Sequence, residues 1–220
     1  MATADLFSKI VSMTKAATDQ EHLHILIDNN TAIPDRTMAI LYGGDDPLPE
    51  LIASADRLCA AGADFLIMSC NTAHHFYEDL SQAAAVPVLH IVEETAKVLK
   101  EQGISRIGLL ATDGAIQSGV FKKVLENYKI ESLLPDEEDQ REIMHIIYDG
   151  IKAGDYSLDA SRFSAICKQL LSRGAQTLIL GCTEMPLAFS VFHIDLPHID
   201  PTKVLAAAAI RYAGAQCVDE

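Results

Sequence analysis

Positive charge is scarce in this chain. Across 220 residues, 17 Lys and Arg face 31 Asp and Glu, for a net charge of -14. Such a surface repels phosphate backbones, which argues against a nucleic-acid partner. Any anionic small molecule must then be gripped by a few locally placed Arg or Lys; the rest of the acidity needs no explanation beyond solubility. Long apolar runs are missing too, and none approaches the ~18 residues of a membrane span. The amino terminus lacks the basic and apolar pattern of a secretion signal, so the chain reads as cytoplasmic, with no membrane partner. CxxC pairs and Cys/His zinc spacings are also absent. The cysteines, Cys59, Cys70, Cys167, Cys182 and Cys217, form an odd set. That argues against a disulfide framework and against a metal site.

What is present is the composition of a soluble globular enzyme, 49% apolar and 22% charged. The length suits one large domain or two small ones. Helical periodicity marks "TADLFSKIVSMTKAA", "PLPELIASADRLCAAG", "EETAKVLKEQG", "GAIQSGVFKKVLENY", "EEDQREIMHIIYDGIKAG", "DASRFSAICKQLLSRG" and "PTKVLAAAAIRYAGA". Several of these end on Gly, as helix carboxyl termini often do. Between them lie the short apolar runs "HLHILID", "DFLIMS", "VPVLHI", "RIGLLAT", "TLILG" and "LPHID". Apolar runs alternating with helices mean parallel strands covered on both faces, so the expected fold class is α/β.

The chain also repeats itself. "AGADFLIMSCNTA", residues 61–73, returns as "RGAQTLILGCTEM", residues 173–185, with the Gly-Ala pair, the Leu-Ile pair and the cysteine coinciding. A helix precedes each cysteine-bearing strand, and a Pro-led strand follows each one. Two pseudo-symmetric half-domains are expected, residues 1–97 and 98–201, each a mainly parallel sheet flanked by helices. The active site belongs in the cleft between them, and the last helix, 202–216, packs back on the first half. In the second half "RIGLLATDG" supplies a strand and a glycine turn ahead of a helix, whereas the matching first-half helix begins at Met1. Internal symmetry therefore predicts a strand and turn of about a dozen residues ahead of Met1, which would then be an internal methionine.

In open parallel sheets, ligands bind at the carboxyl ends of the strands. Cys70 and Cys182 are both placed there, each followed by a polar pair able to cap the next helix, Asn71-Thr72 and Thr183-Glu184. A thiol at a helix amino terminus meets free N–H groups and the positive end of the dipole, which lower its pKa. Cys59 and Cys167 fall within amphipathic helical patterns, where cysteine acts as a small buried hydrophobe; Cys217 lies in the tail. Facing halves would put one thiol on each side of a bound molecule. Inverting a carbon centre needs that arrangement: one thiolate removes a proton from one face while a thiol donates to the other.

With these features the chain resembles the pyridoxal-phosphate-independent aspartate/glutamate racemases, the aspartate branch most closely. "SCNTAH", "GCTE" and "IPDRT" carry the resemblance, which covers essentially the whole chain. It implies two half-domains with the site between them, a homodimer, a small amino-acid substrate and no cofactor or metal. The catalytic thiols fall on Cys70 and Cys182. Asn71 and Thr72 would hold the α-carboxylate, with Thr112 and Thr183 as further contacts. Glutamate racemases place His where this chain has Glu184, which leans the substrate towards aspartate; that carboxylate would also pair with an ammonium. Arg36 and Lys152 match the residues that take the side-chain carboxylate, a role suited to a bidentate guanidinium and a point-charge ammonium. The family opens with a strand and a "GGMGP"-like turn, which this sequence does not match.

Other signals carry less. His22 and His24 alternate as two metal ligands would, but no third ligand is evident. His74, four residues after Cys70, invites a Cys-His nucleophile, a reading that leaves Cys182 unexplained. His90 has no assignable role. "DEEDQRE" reads as a solvated helix start, and "LYGGDDPLPE" as a turn-rich loop at the edge of the cleft, a lid or a mere connection. The alternatives left open are a related enzyme acting on glutamate, another amino acid or a small dicarboxylate, an inactive dicarboxylate-binding protein, and a thiol-based redox sensor.

Overall fold

Apolar runs become paired strands mainly in the second half of the molecule. In the computed structural model, which describes residues 1–218, the first half is helical: α1 (Ala2–Met13), α2 (Arg36–Tyr42), α3 (Leu48–Ala60), α4 (Tyr77–Ala83) and α5 (Ile91–Glu101). The second half alternates. It runs β1 (Arg106–Leu110), α6 (Asp113–Gln117), α7 (Val120–Asn127), β2 (Glu131–Leu133), α8 (Glu137–His145), a π-helical stretch (Ile146–Lys152), α9 (Ser161–Ser172), β3 (Thr177–Leu180), α10 (Met185–Val191), β4 (His198–Ile199) and α11 (Pro201–Tyr212). The strands form one parallel sheet in the order β2-β1-β3-β4, with Gly108 opposite both Leu133 and Leu178, and Leu178 opposite His198. The fold is α/β, a four-stranded parallel sheet flanked by helices.

The period-2 alternation of strands divides the core. Ile107, Leu109 and Ile179 point to one face and pack with α1, α5, α7 and α11 through Leu6, Leu99, Phe121 and Ile210. Leu110, Leu178 and Leu180 point to the other, against Ile143, Ile147, Phe163 and Met185. Nearly all of these side chains are fully buried, which is why the strands read as continuous apolar runs. A smaller cluster of Leu51, Ala55, Leu66, Leu80 and Val88 lies in the first half. Helix α11 packs on α1 and α5. No described helix is long and apolar enough to cross a membrane.

A second sheet, expected from "HLHILID", "DFLIMS" and "VPVLHI", does not form. A single parallel bridge, Leu66 to Val88, is all that pairs there, and residues 23–28 make no backbone–backbone hydrogen bond among the described residues. The reason is a missing neighbour. In the second half β1 lies between β2 and β3 and pairs with both. Residues 23–26 and 63–67 instead face each other across a groove of about 480 Å³ with no described strand between them. A strand holds its extended geometry through the partner that satisfies its N–H and C=O groups, so these segments stay irregular.

Two expected single helices are also divided. The stretch 114–128 breaks into α6 and α7 at Gly119, whose φ of +72° is the left-handed conformation that glycine tolerates. The stretch 137–154 changes from α to π at Ile146, an irregularity that is often found at functional sites.

Candidate active site

Cys182 sits directly after β3, whose residues Thr177–Leu180 are all buried. Cys70 sits after residues 64–69, at the corresponding place in the first half, before a 3₁₀ turn at Thr72–Phe76. Both open onto one cavity of about 290 Å³. Arg36, Asn71, Thr72, Thr112, Lys152, Thr183 and Glu184 also line it, so every residue expected at the site is brought together. The "LYGGDDPLPE" loop is not part of its lining and serves to join α2 to α3.

Local chemistry sets each group. Arg36 opens α2, with Asp35 as the N-cap accepting from the Met38 N–H. The Arg36 guanidinium donates to the carbonyls of Ile33 and Pro34, at 3.3 and 3.1 Å. Burial disfavours its charge, but Cys70, by charge and by hydrogen bond, outweighs that with help from Asp35 and Tyr148, and the Arg36 pKa rises. Helix α2 can reach this position because α6 offers it a glycine: a Cβ on Gly114 would lie 2.7 Å from Thr37 Oγ1 and 2.9 Å from Thr37 Cα. Thr112 caps α6, accepting from the Ala115 N–H, and its hydroxyl meets that of Thr72 at 2.9 Å.

Lys152 ends the π-helical stretch, its Nζ 4.0 Å from the centre of the Tyr148 ring. Burial of the ammonium works against its charge, while Cys182 and Glu184 pull its pKa upward; the side chain is exposed enough for solvent to weaken that pull. Cys182 is only 6% exposed, and its Sγ donates to Glu184 Oε2 at 2.9 Å, where the Thr183 hydroxyl also donates at 3.1 Å. Each thiol thus has one cation near it, Arg36 for Cys70 and Lys152 for Cys182.

Two expectations need correcting. Asn71 and Glu184 occupy the N-cap positions of their helices, yet neither side chain caps. The thiol of Cys182 is not made more acidic by its helix. Burial pushes its pKa well up and Glu184 adds to the rise, against the weaker opposing pull of Lys152. The released Asn71 side chain is 1% exposed, and neither its amide oxygen nor its NH₂ has a partner among the described residues. A buried amide left unpaired costs about 1–3 kcal/mol, so it is poised for a ligand with both an acceptor and a donor group. Sequence reasoning missed Asp35 and Tyr148, both in the lining, whose side chains meet at 3.4 Å. Their signal was position: Asp35 precedes Arg36, and Tyr148 stands four residues before Lys152.

This geometry defines a class, an α/β enzyme that sets two thiols and two cations around one cavity of about 290 Å³. Comparison with known proteins makes the class a family. The family model for Asp/Glu/hydantoin racemases matches residues 1–209, and the chain belongs to that family of amino-acid racemases. It is 30% identical over 166 residues to the broad specificity amino-acid racemase RacX of Bacillus subtilis, covering 76% of this chain and 72% of that protein. A glutamate racemase of Desulforudis audaxviator is 27% identical, over 77% of this chain and 63% of that one. Among solved structures, Picrophilus torridus aspartate racemase superposes with a TM-score of 0.83 at 29% identity, covering 98% of this chain and 90% of its own.

Proposed function

We propose that the chain racemises an acidic amino acid, aspartate, by two-base proton transfer between Cys70 and Cys182. The observation that carries this reading is the single cavity into which the repeat delivers both thiols, each beside its own cation. Cys182 rests as a thiol because its proton is held between sulfur and the Glu184 carboxylate. Cys70, facing Arg36, starts as the base. As a thiolate it takes the α-proton from one face of the substrate, and Cys182 gives its proton to the other face. Only C–H and S–H bonds change. After turnover Cys70 carries the proton and Cys182 is the thiolate, the state that processes the opposite enantiomer.

The unpaired Asn71 amide supports a zwitterionic substrate, its NH₂ donating to the α-carboxylate with Thr72, its oxygen accepting from the ammonium. Glu184 adds a second group for that ammonium; Thr112 and Thr183 complete the wall. Arg36 and Lys152 favour a second carboxylate on the substrate. Two cations in so acidic a chain, both at one cavity, are the local grip that an anionic ligand requires. A homodimer that works without pyridoxal phosphate or metal belongs to the same reading.

The test is α-proton exchange of L- and D-aspartate in D₂O without added pyridoxal phosphate. Deuterium enters Cα and the opposite enantiomer appears, and Cys70→Ser and Cys182→Ser each slow this on the order of 10³-fold or more. Racemisation that survives either substitution sinks the two-thiol mechanism. Turnover of neutral amino acids but not aspartate would replace the substrate and keep the mechanism.

A further inference from the structure

Next to Cys70 the chain packs three rings. His74 and His90 have centroids 4.7 Å apart, and Tyr77 and His90 4.5 Å apart. His74 is 3% exposed and does not line the cavity. Both of its nitrogens are engaged: Nδ1 lies 2.8 Å from the Cys70 carbonyl oxygen, and Nε2 is 3.2 Å from the Ile91 N–H. The Ile91 amide can only donate, so Nε2 accepts, Nδ1 carries the proton, and that proton goes to the Cys70 carbonyl. Burial, with neighbouring His90 adding to it, drops the His74 pKa to about 3, so the ring stays neutral under ordinary conditions. Neither nitrogen is left to act on a thiol, which disposes of a Cys-His dyad.

The far end of this link is firm. Ile91, Val92, Ala96 and Leu99 of α5 are all 0% exposed in the main core. The near end needs support. Cys182 follows a fully paired strand and has its thiol held by Glu184, whereas Cys70 follows a segment with one bridge. The residue at the place of His74 in the second repeat is Pro186, which has no side-chain polar group. We infer that His74 is a positioning residue for Cys70: it ties the Cys70 carbonyl to the amino terminus of α5 and so aims the thiol across the cavity. His90 and Tyr77 hold the ring in place, His90 by a tilted contact at 4.7 Å while it caps α5, and Tyr77 by lying parallel to it with its hydroxyl donating to the Val88 carbonyl at 3.0 Å.

The kinetic part rests on the proposed racemase reading; a labelling readout does not. His74→Phe keeps the ring and loses both hydrogen bonds, while His74→Gln keeps one donor and one acceptor. The rate of Cys70 alkylation by iodoacetamide is followed against pH by mass spectrometry of the whole protein's peptides, with Cys182 as the reference in the same molecule. In His74→Phe the Cys70 profile shifts and the Cys182 profile does not. On aspartate, kcat falls on the order of 10- to 100-fold with KM nearly unchanged, the signature of a misaimed group, and His74→Gln recovers most of both losses. An unaltered Cys70 profile in a folded His74→Phe protein overturns the inference, as does a glutamine variant no better than phenylalanine. Should the phenylalanine variant fail to fold, the wild-type imidazole ¹⁵N shifts decide. A neutral Nδ1–H ring persisting to about pH 4 agrees with the inference, and an Nε2–H ring overturns it. If the wild type lacks aspartate turnover, the proposed substrate fails while the labelling comparison still stands.

Discussion

The two repeats share a motif but bury it to different depths. Leu178, Ile179 and Leu180 of β3 are at most 1% exposed. Their counterparts are Leu66, Ile67 and Met68, of which only Leu66 is buried, at 7%. The register of the one surviving contact is conserved: Leu66 bridges Val88 as Leu178 pairs with His198. What differs is the central partner. β1 sits between β2 and β3 and gives both a ladder, while the corresponding space in the first half is an open groove. Extended structure here is a property of pairs of segments, so a similar local sequence yields a strand in one half and a loosely held segment in the other.

The largest consequence is in local opening. Amides of residues 107–110 and 178–180 are expected to open only with the whole domain, whereas residues 25–27 have no backbone hydrogen bond to break among the described residues. Native-state hydrogen exchange should separate the two groups by ~1,000-fold or more in protection. Equal protection would erase the contrast between the halves and show that the groove is closed in solution.

A smaller contrast comes from truncating the matched isoleucines. Ile179 is 0% exposed at the centre of the sheet, and Ile67 is half-buried beside the groove. Ile179→Ala is expected to cost about 3 kcal/mol and Ile67→Ala about 1 kcal/mol in urea unfolding, since a cavity is created in full only where packing is complete. Similar losses would mean that the first half packs as tightly as the second.

Legibility followed the same division. The apolar runs that became β1 and β3, the repeat and both cysteines were readable because each rests on local pattern or on the end of a strand, whereas Arg36 and Lys152 were named only through the family resemblance. The missing first-half sheet was not, because pairing is non-local and "HLHILID" is apolar whether or not a neighbour accepts it. Nor was the π-helical turn that presents Lys152, since "EEDQREIMHIIYDGIKAG" keeps a helical period throughout. The Cys182–Glu184 contact depends on burial as well as adjacency: sequence placed the thiol at a helix amino terminus, and burial, with the carboxylate beside it, reversed the expected effect on its pKa. His90 offered no signal of its own, being recognisable only by comparison with Asp200.

That last pair gives the finest test of the comparison. Asp200 caps α11 by accepting from the N–H groups of Thr202 and Lys203, and His90 caps α5 by accepting at Nδ1 from Val92 and Glu93. An imidazole can cap only while neutral. Burial, against weaker pulls from its own backbone and from Glu94, lowers the His90 pKa to about 4; His74 and Tyr77 are the other titratable groups packed on it. With the folded value below the ordinary ~6.5 of an unfolded histidine, the unfolded chain binds the proton first as pH falls. The stabilisation is therefore complete above about pH 6.5 and is lost on the way down to about pH 4, by at most ~1.4 kcal/mol per pH unit from this group. At pH 7.5, His90→Ala should cost about 1 kcal/mol, the ordinary value of a lost cap, and Asp200→Ala should cost more, because Asp200 also pairs with Lys9 at 2.6 Å. Between pH 6.5 and 4, His90→Asn, which keeps a cap that does not titrate, should lose stability less steeply than the wild type in urea titrations. An asparagine variant as acid-sensitive as the wild type would place the pH dependence elsewhere and leave the two caps equivalent.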